Sequence, residues 1–481
     1  MVQPTVQIDF FGETPPGEAT RYIVGRYTRK LVEQVLKDLE EFSLKLNLKE
    51  KALSQLYNTI ICVEGKIKPF AERILKQVVY KLILDEESTI AHRVLKITEL
   101  LGLYVETEFL VPMIVQHLTD QDSKTVPLFV QSCLTALSAV ITHSSVRFAD
   151  QFDSQMDKLL DLIVSSDYLQ CENADVLART AMVTNNIVFA GGQKSCKPRQ
   201  HVLFKILLQL ASSPLIESQR GLVNGTIDLL ARNCGLEKGS DLFSCELEQL
   251  IIEMKEDYEN WTRSSPERFI FDLLVRRAET AVVDFWEEIL EIIAMNIDFS
   301  KDVELRFDML SLCEHLLQQE NLHSTIIFYT EILIRMILMP CTEWRAGMPI
   351  GKIRKASVIC LIKVMEQKLI EKEKLTAIIP DLINKLKSPL DDDWLHDLRF
   401  ASVVLLSKLM DFMGHDMDRE SFNEIYPELL KRLDDAQDGI RIETCKAFEV
   451  FFDNLPSEWS SSLYPYTVKQ IFIHIDDPNQ Q

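Results

Sequence analysis

Arginines at positions 306, 354, 399 and 441 each follow an apolar residue and open an apolar helical run: FDMLSL, KASVICL and FASVVLL follow the first three. They stand 48, 45 and 42 residues apart. The same register runs back through Arg268, Arg220 and Arg179, then through Gln131 and Ala91, where the arginine is lost and the apolar helix persists. Every step falls between 38 and 48 residues. Such a recurrence requires one supersecondary unit, repeated and stacked, because a unit of this size cannot bury its own apolar face.

The stretch IYPELLKRLDDAQDGIR, residues 425–441, shows the unit. Ile425, Leu429, Leu430 and Leu433 fall at i, i+4, i+5 and i+8, one stripe of a first helix, A. Asp434, Asp435 and Asp438 mark a turn, since short carboxylates accept hydrogen bonds from the amides that open a helix. Ile440, Thr444, Ala447, Phe448, Phe451 and Phe452 then define a second helix, B, lying back on the first. IIPDLINKL at 378–386 repeats helix A ahead of Asp391-Asp392-Asp393, and a third copy starts at Tyr464 and reaches Asp476-Asp477. Pro380 and Pro427 are both expected at helix starts, where the missing amide costs nothing.

A two-helix unit with this period is that of HEAT and armadillo arrays, and the lack of a third short helix favours HEAT. The expected fold is all-α, a HEAT/armadillo-like α-solenoid of stacked antiparallel helix pairs with about ten or eleven repeats. Residues 1–20 read as a poorly ordered lead-in and residues 21–481 as a single solenoid. Its last repeat is expected to be incomplete, the chain being a fragment, a shortened isoform or an incomplete gene product. IIFYTEILIRMIL, 326–338, reads as buried helix rather than strand, and 191–200 and 233–241 as loops between repeats.

Composition narrows the function. A net charge of −21 disfavours nucleic acid and acidic lipid as partners, because both are held by lysine and arginine. Ten scattered cysteines without a C-x-x-C pair read as reduced, mostly buried thiols of a cytosolic or nuclear protein. No run approaches about 18 uninterrupted apolar residues, so no membrane span is expected. The N-x-T triplets at Asn224 and Asn260 read as chance matches.

No phosphate-cradling glycine motif, H-E-x-x-H or G-x-S-x-G occurs. His315 and His323, the closest histidine pair, stand eight residues apart with no further ligand in register. The chain is therefore expected to be no enzyme and to need no cofactor or metal.

The recurring polar residues have a structural reading. Turn carboxylates such as Asp391 and Asp434 would cap the B helices and meet Arg306, Arg354, Arg399 and Arg441 of adjacent units, a ladder of charge-assisted hydrogen bonds along one edge. The competing reading gives Asp391 to Asp393 to a cation or a basic partner; three consecutive carboxylates converge on one ion only if a tight loop curls them. Trp344, Lys355 and Lys363 are the candidate partner-binding residues, the lysines because B helices line the inner face of such arrays.

Several stretches carry a more specific likeness. IYPELLKRLDD, EWRAGMPIGKIRKASVICL (343–361) and IFIHIDDP (471–478) resemble the C-terminal part of the HEAT-repeat dynein axonemal assembly factors. Trp344, Gly347, Ile353, Arg354, Ala356 and Cys360 form the most particular piece. Looser similarity runs from about residue 50 to the end, including KLILDEESTIAHRV (81–94), and the first 45 residues match poorly. The resemblance implies a non-enzymatic cytoplasmic scaffold for folding or preassembly of axonemal dynein arms of cilia and flagella. Its implied partners are axonemal dynein heavy and intermediate chains, chaperones and other dynein assembly factors. The repeat alone suits a nuclear-transport or phosphatase-scaffolding adaptor equally well.

Overall fold

The computed structural model describes residues 16–41, 45–120, 126–165, 168–456, 459 and 463–473, and no strand occurs among them. The chain is an all-α HEAT-type solenoid. In chain order the described helices make ten A/B pairs followed by a further helix, Leu463–Ile473. Backbone contacts group them into two units, Met1–Phe243 and Ser244–Gln481.

Within the first unit the B helices Leu46–Val63, Ser88–Tyr104, Pro127–Arg147, Ala174–Cys196 and Arg220–Cys234 pack one on the next. Within the second, Pro266–Arg277, Val303–Leu317, Met348–Glu366, His396–Met413 and Asp438–Asp453 do the same. A B helix thus meets two B neighbours and its own A helix. Met348–Glu366 accordingly buries Ile353, Val358, Cys360, Leu361, Val364 and Met365, which do not fall on one stripe. An A helix such as Ile379–Leu390 has a single apolar face, of Leu382, Ile383, Leu386 and Leu390.

Close stacking selects small and hydroxyl residues. Ser357, Ser402 and Thr444 each stand three residues after a ladder arginine and are fully buried. Their hydroxyls donate to the carbonyls of Leu338 (2.6 Å), Leu398 (2.7 Å) and Ile440 (2.7 Å), so none of these three buried hydroxyls lacks an acceptor. Gly102 marks a close backbone crossing in the first unit: a Cβ there would lie 2.8 Å from the Val140 carbonyl oxygen and 2.9 Å from its Cα.

Several expectations are corrected. Pro380 does open its helix, but Pro427 lies inside helix Arg419–Arg432. That helix starts six residues before Ile425 because Asp418 caps it, its carboxylate accepting from the Ser421 amide at 2.7 Å. The expected loop at 191–200 is mostly a kinked helix, turned at Gly192, whose φ of 53° suits glycine.

The 326–338 run is helical but two-faced. Ile326, Leu333, Ile334, Ile337 and Leu338 are buried, while Phe328, Ile332 and Met336, at i, i+4 and i+8, are 72%, 54% and 69% exposed. Apolar residues on both faces make helix Glu320–Cys341, like Pro127–Arg147, long and apolar enough to cross a membrane, although both pack within repeats. Helix Glu18–Glu41 begins inside the expected lead-in. Residues 1–15 and Asp476-Asp477 lie outside the described residues.

Adding a methyl group at Gly102 must push two backbones apart, so Gly102→Ala should destabilise the first unit by about 1–3 kcal/mol. Urea unfolding of the two chains side by side measures this.

Candidate functional site

The turns between A and B helices of the second unit carry a hydrogen-bonded chain of charges. Arg354, 1% exposed, donates through Nε to the Thr342 carbonyl of its own turn (3.1 Å), and through Nη2 to Ser388 (2.8 Å). Its Nη1 donates to the buried carboxylate of Asp392 in the next turn. The Asp392 carbonyl accepts from Arg399 Nη1 (2.7 Å), and Arg399 reaches on to the Asp435 carboxylate through Nε (2.7 Å) and Nη2 (2.9 Å). The Asp435 carbonyl in turn accepts from Arg441 Nη1 (2.9 Å). Each arginine thus ties its own turn, and Arg354 and Arg399 also tie the following one.

The same aspartates hold their turns. Asp392 accepts the amides of Trp394 (3.0 Å) and Leu395 (2.8 Å), and Asp435 accepts that of Gln437 (3.1 Å). The buried carboxylates of the ladder are therefore Asp392 and Asp435, one residue after the expected Asp391 and Asp434. Asp391 stays half-exposed and pairs with Arg432 at 2.6 Å; Asp434 is exposed.

Arg306 occupies the same place, but its hydrogen bonds go to no carboxylate. Its Nε donates to the Ile297 carbonyl (2.7 Å), its Nη2 lies 4.0 Å from the Cys341 sulfur, and its guanidinium covers Phe299 at 4.8 Å. A rung also exists in the first unit, where the arginine register is lost. Lys49, fourth residue of its B helix as Arg399 and Arg441 are of theirs, meets Asp85 at 2.7 Å, 36 residues on. Arg399 and Asp435 have that same separation, and Asp85 accepts the Glu87 amide as Asp435 accepts that of Gln437.

Electrostatics follow from burial. Burial pushes the Arg354 guanidinium below its ordinary value, against the pull of Asp392. Burial also raises the Asp435 carboxyl, but hydrogen bonds from Arg399 and the Gln437 amide outweigh it and leave the group below its usual 3.8.

Of the proposed partner-binding residues, Lys355 pairs with Asp397 of the next B helix at 2.7 Å, and Lys363 with Glu366 of its own at 2.9 Å. Trp344 is 59% exposed. Three residues on, Gly347 holds φ at 117° to open helix Met348–Glu366, which accounts for the glycine of the Trp-x-x-Gly pattern. Trp394, 71% exposed, was missed as a candidate.

Among the described residues no group of three or more His, Cys, Asp or Glu is placed to hold a metal ion. Burial lowers the His315 ring and raises the thiols of Cys196, to about 11, and of Cys313, to about 12. Six of the ten cysteines are buried. A cleft of about 420 Å³ between helices Ile379–Leu390 and Arg419–Arg432 is lined by Asp381, Asp418, Glu420 and Glu424, with Lys387 the one cation among its lining residues. Acid dominates the second unit generally: residues 244–481 hold 44 acidic and 26 basic residues, a formal −18, against 29 and 26, or −3, in residues 1–243.

Comparison with known proteins gives one consistent relationship. The HEAT-repeat domain of dynein axonemal assembly factor 5 matches residues 11–214. The match starts well ahead of residue 50, so the early part that looked dissimilar belongs to the likeness. Dynein axonemal assembly factor 5 of Xenopus laevis is 23% identical over 97% of this chain, and that of Homo sapiens 20% identical over 98%. The chain spans about half the length of these relatives, 55% and 56%. Among solved structures, an engineered protein aligns over 88% of the chain with a TM-score of 0.39 and 15% identity, covering all of that protein. Kap95p, from a structure with RanGDP, aligns over 92% of this chain and 61% of its own, with a TM-score of 0.39 and 11% identity. The chain is similar along nearly its whole length to the dynein axonemal assembly factor 5 proteins.

Removing Asp392 strands the buried Arg354, so Asp392→Ala should cost about 3–5 kcal/mol, read as a lowered urea midpoint. Asp435, depressed in the fold, stabilises fully above its unfolded value and loses that contribution as pH falls through the native one. Melting temperature should therefore fall more steeply below about pH 4 in the natural chain than in Asp435→Asn.

Proposed function

With that relationship as premise, we propose that the chain is a non-enzymatic, cytoplasmic, protein-binding scaffold that assists folding or preassembly of axonemal dynein arms for motile cilia and flagella. The observation that carries the reading is the similarity to dynein axonemal assembly factor 5 over 97% or more of the chain. Its partners in this reading are axonemal dynein heavy and intermediate chains, chaperones and other assembly factors.

The surface is consistent with that work. Stacked helix pairs present long faces to other polypeptides, which is the usual employment of repeat arrays. The ladder charges are spent on holding turns together, leaving recognition to the exposed residues around them.

Affinity capture of the tagged chain from cells building motile cilia, followed by mass spectrometry, tests the proposal. Dynein heavy or intermediate chains should be enriched over a capture from non-ciliating cells. Enrichment of a small GTPase or a phosphatase subunit in their place would overturn it.

A further inference from the structure

The ladder gives the turns of the second unit a common register that the sequence conceals. In three successive turns the B-helix arginine donates to one carbonyl of its own turn: Ile297 for Arg306, Thr342 for Arg354 and Asp392 for Arg399. Counting from that carbonyl, the next residue is acidic every time, Asp298, Glu343 and Asp393, and the one after is aromatic every time, Phe299, Trp344 and Trp394. The fourth turn, after Asp435, breaks the pattern with Ala436 and Gln437.

One member of the row shows what such a site accepts. Phe299 is covered by two guanidinium groups, Arg345 at 3.7 Å from its ring centre and Arg306 at 4.8 Å. The Arg306 charge also helps hold the Asp298 carboxyl down, after the hydrogen bonds from Ser300 and the Phe299 amide. An arginine over the ring with a carboxylate beside it is the arrangement cation–π attraction and charge pairing favour together. Trp344 and Trp394 hold the same place with their rings uncovered: they are 59% and 71% exposed, and no cation stacks on either among the described residues, though Glu343 beside Trp344 pairs with Lys385.

We infer that Trp344 with Glu343 and Trp394 with Asp393 form a docking edge for an extended basic segment of another polypeptide. Neighbouring packed helices lie about 8–10 Å apart, and an extended chain in the polyproline II conformation rises about 3.1 Å per residue with three residues per turn, so that every third side chain faces the same way. Two basic side chains three residues apart therefore reach the two tryptophans, giving an Arg-x-x-Arg pattern. The formal −18 of residues 244–481 attracts such a segment. Nearby cations are mostly engaged: Arg345 on Phe299, Lys355 on Asp397 and Lys385 on Glu343, with Lys352 exposed. The inference deepens the protein-binding part of the proposed function and names the chemistry of one partner segment.

Fluorescence anisotropy with the full chain and labelled synthetic peptides tests it. A peptide with Arg-x-x-Arg in a glycine-serine background should bind at least tenfold tighter than one with adjacent arginines, and a peptide with both arginines changed to glutamine should not bind. Trp344→Ala with Trp394→Ala should weaken the first peptide at least tenfold. These side chains are exposed, so the melting temperature serves as the folding control. Glu343→Gln with Asp393→Asn should weaken binding and flatten its salt dependence.

Equal binding of the three peptides, or undiminished binding to the folded double tryptophan variant, would overturn the inference. If that variant still captures dynein chains while peptide binding fails in the natural chain, the docking edge is wrong and the assembly role stands. Peptide binding without dynein capture separates the two the other way.

Discussion

A B helix of this chain is apolar or small around most of its circumference, and one A helix cannot cover it. Neighbouring repeats within a unit supply the rest, so the repeat and its neighbours fold as one problem. This explains why Ser357, Ser402 and Thr444 spend their hydroxyls inside the helical layers, and why Gly102 has no room for a methyl group. Burial sets these choices before any question of function arises.

Stacking alone would tolerate slippage of one hairpin on the next, and the ladder opposes it. A buried arginine facing a buried carboxylate adds little net stability over a well-packed apolar pair, but a displaced register strands both charges. Arg354 against Asp392 and Arg399 against Asp435 therefore act chiefly on register. The rung at Arg306 shows the limits of the device. With no carboxylate hydrogen-bonded to it, that arginine takes a carbonyl and a phenyl ring. In doing so it shows a guanidinium seated on a turn aromatic.

In the proposed reading, recognition falls to the parts of the turns that the ladder does not consume. The charge is unevenly shared between the two units, and the exposed tryptophans stand in the acidic one. The proposed scaffold role calls for surfaces that hold other polypeptides, and the inferred acidic edge, with rings aligned to its turns, would be one. The long exposed stripe of Phe328, Ile332 and Met336 is apolar instead, so the second unit offers two chemically different faces.

The period of the arginines, the amphipathic A helices and the aspartate-rich turns sufficed to read an all-α repeat fold, because helical spacing and turn chemistry are local. The family likeness was also legible, on Trp344, Gly347, Ile353, Arg354, Ala356 and Cys360. What sequence could not assign was which member of an aspartate run points inward. Asp391 and Asp392 are chemically the same, and only the packed turn buries one and leaves its neighbour in water. The equivalence of Trp344 and Trp394 was hidden for a related reason: they precede their arginines by ten and five residues, since helix Met348–Glu366 starts further ahead of its arginine than His396–Met413 does. Lys49 and Asp85 escaped notice because the rung kept its geometry while changing its cation. Local propensity determined the elements; contacts between residues about forty positions apart decided which charges are buried, which rings are exposed and what the turns can hold.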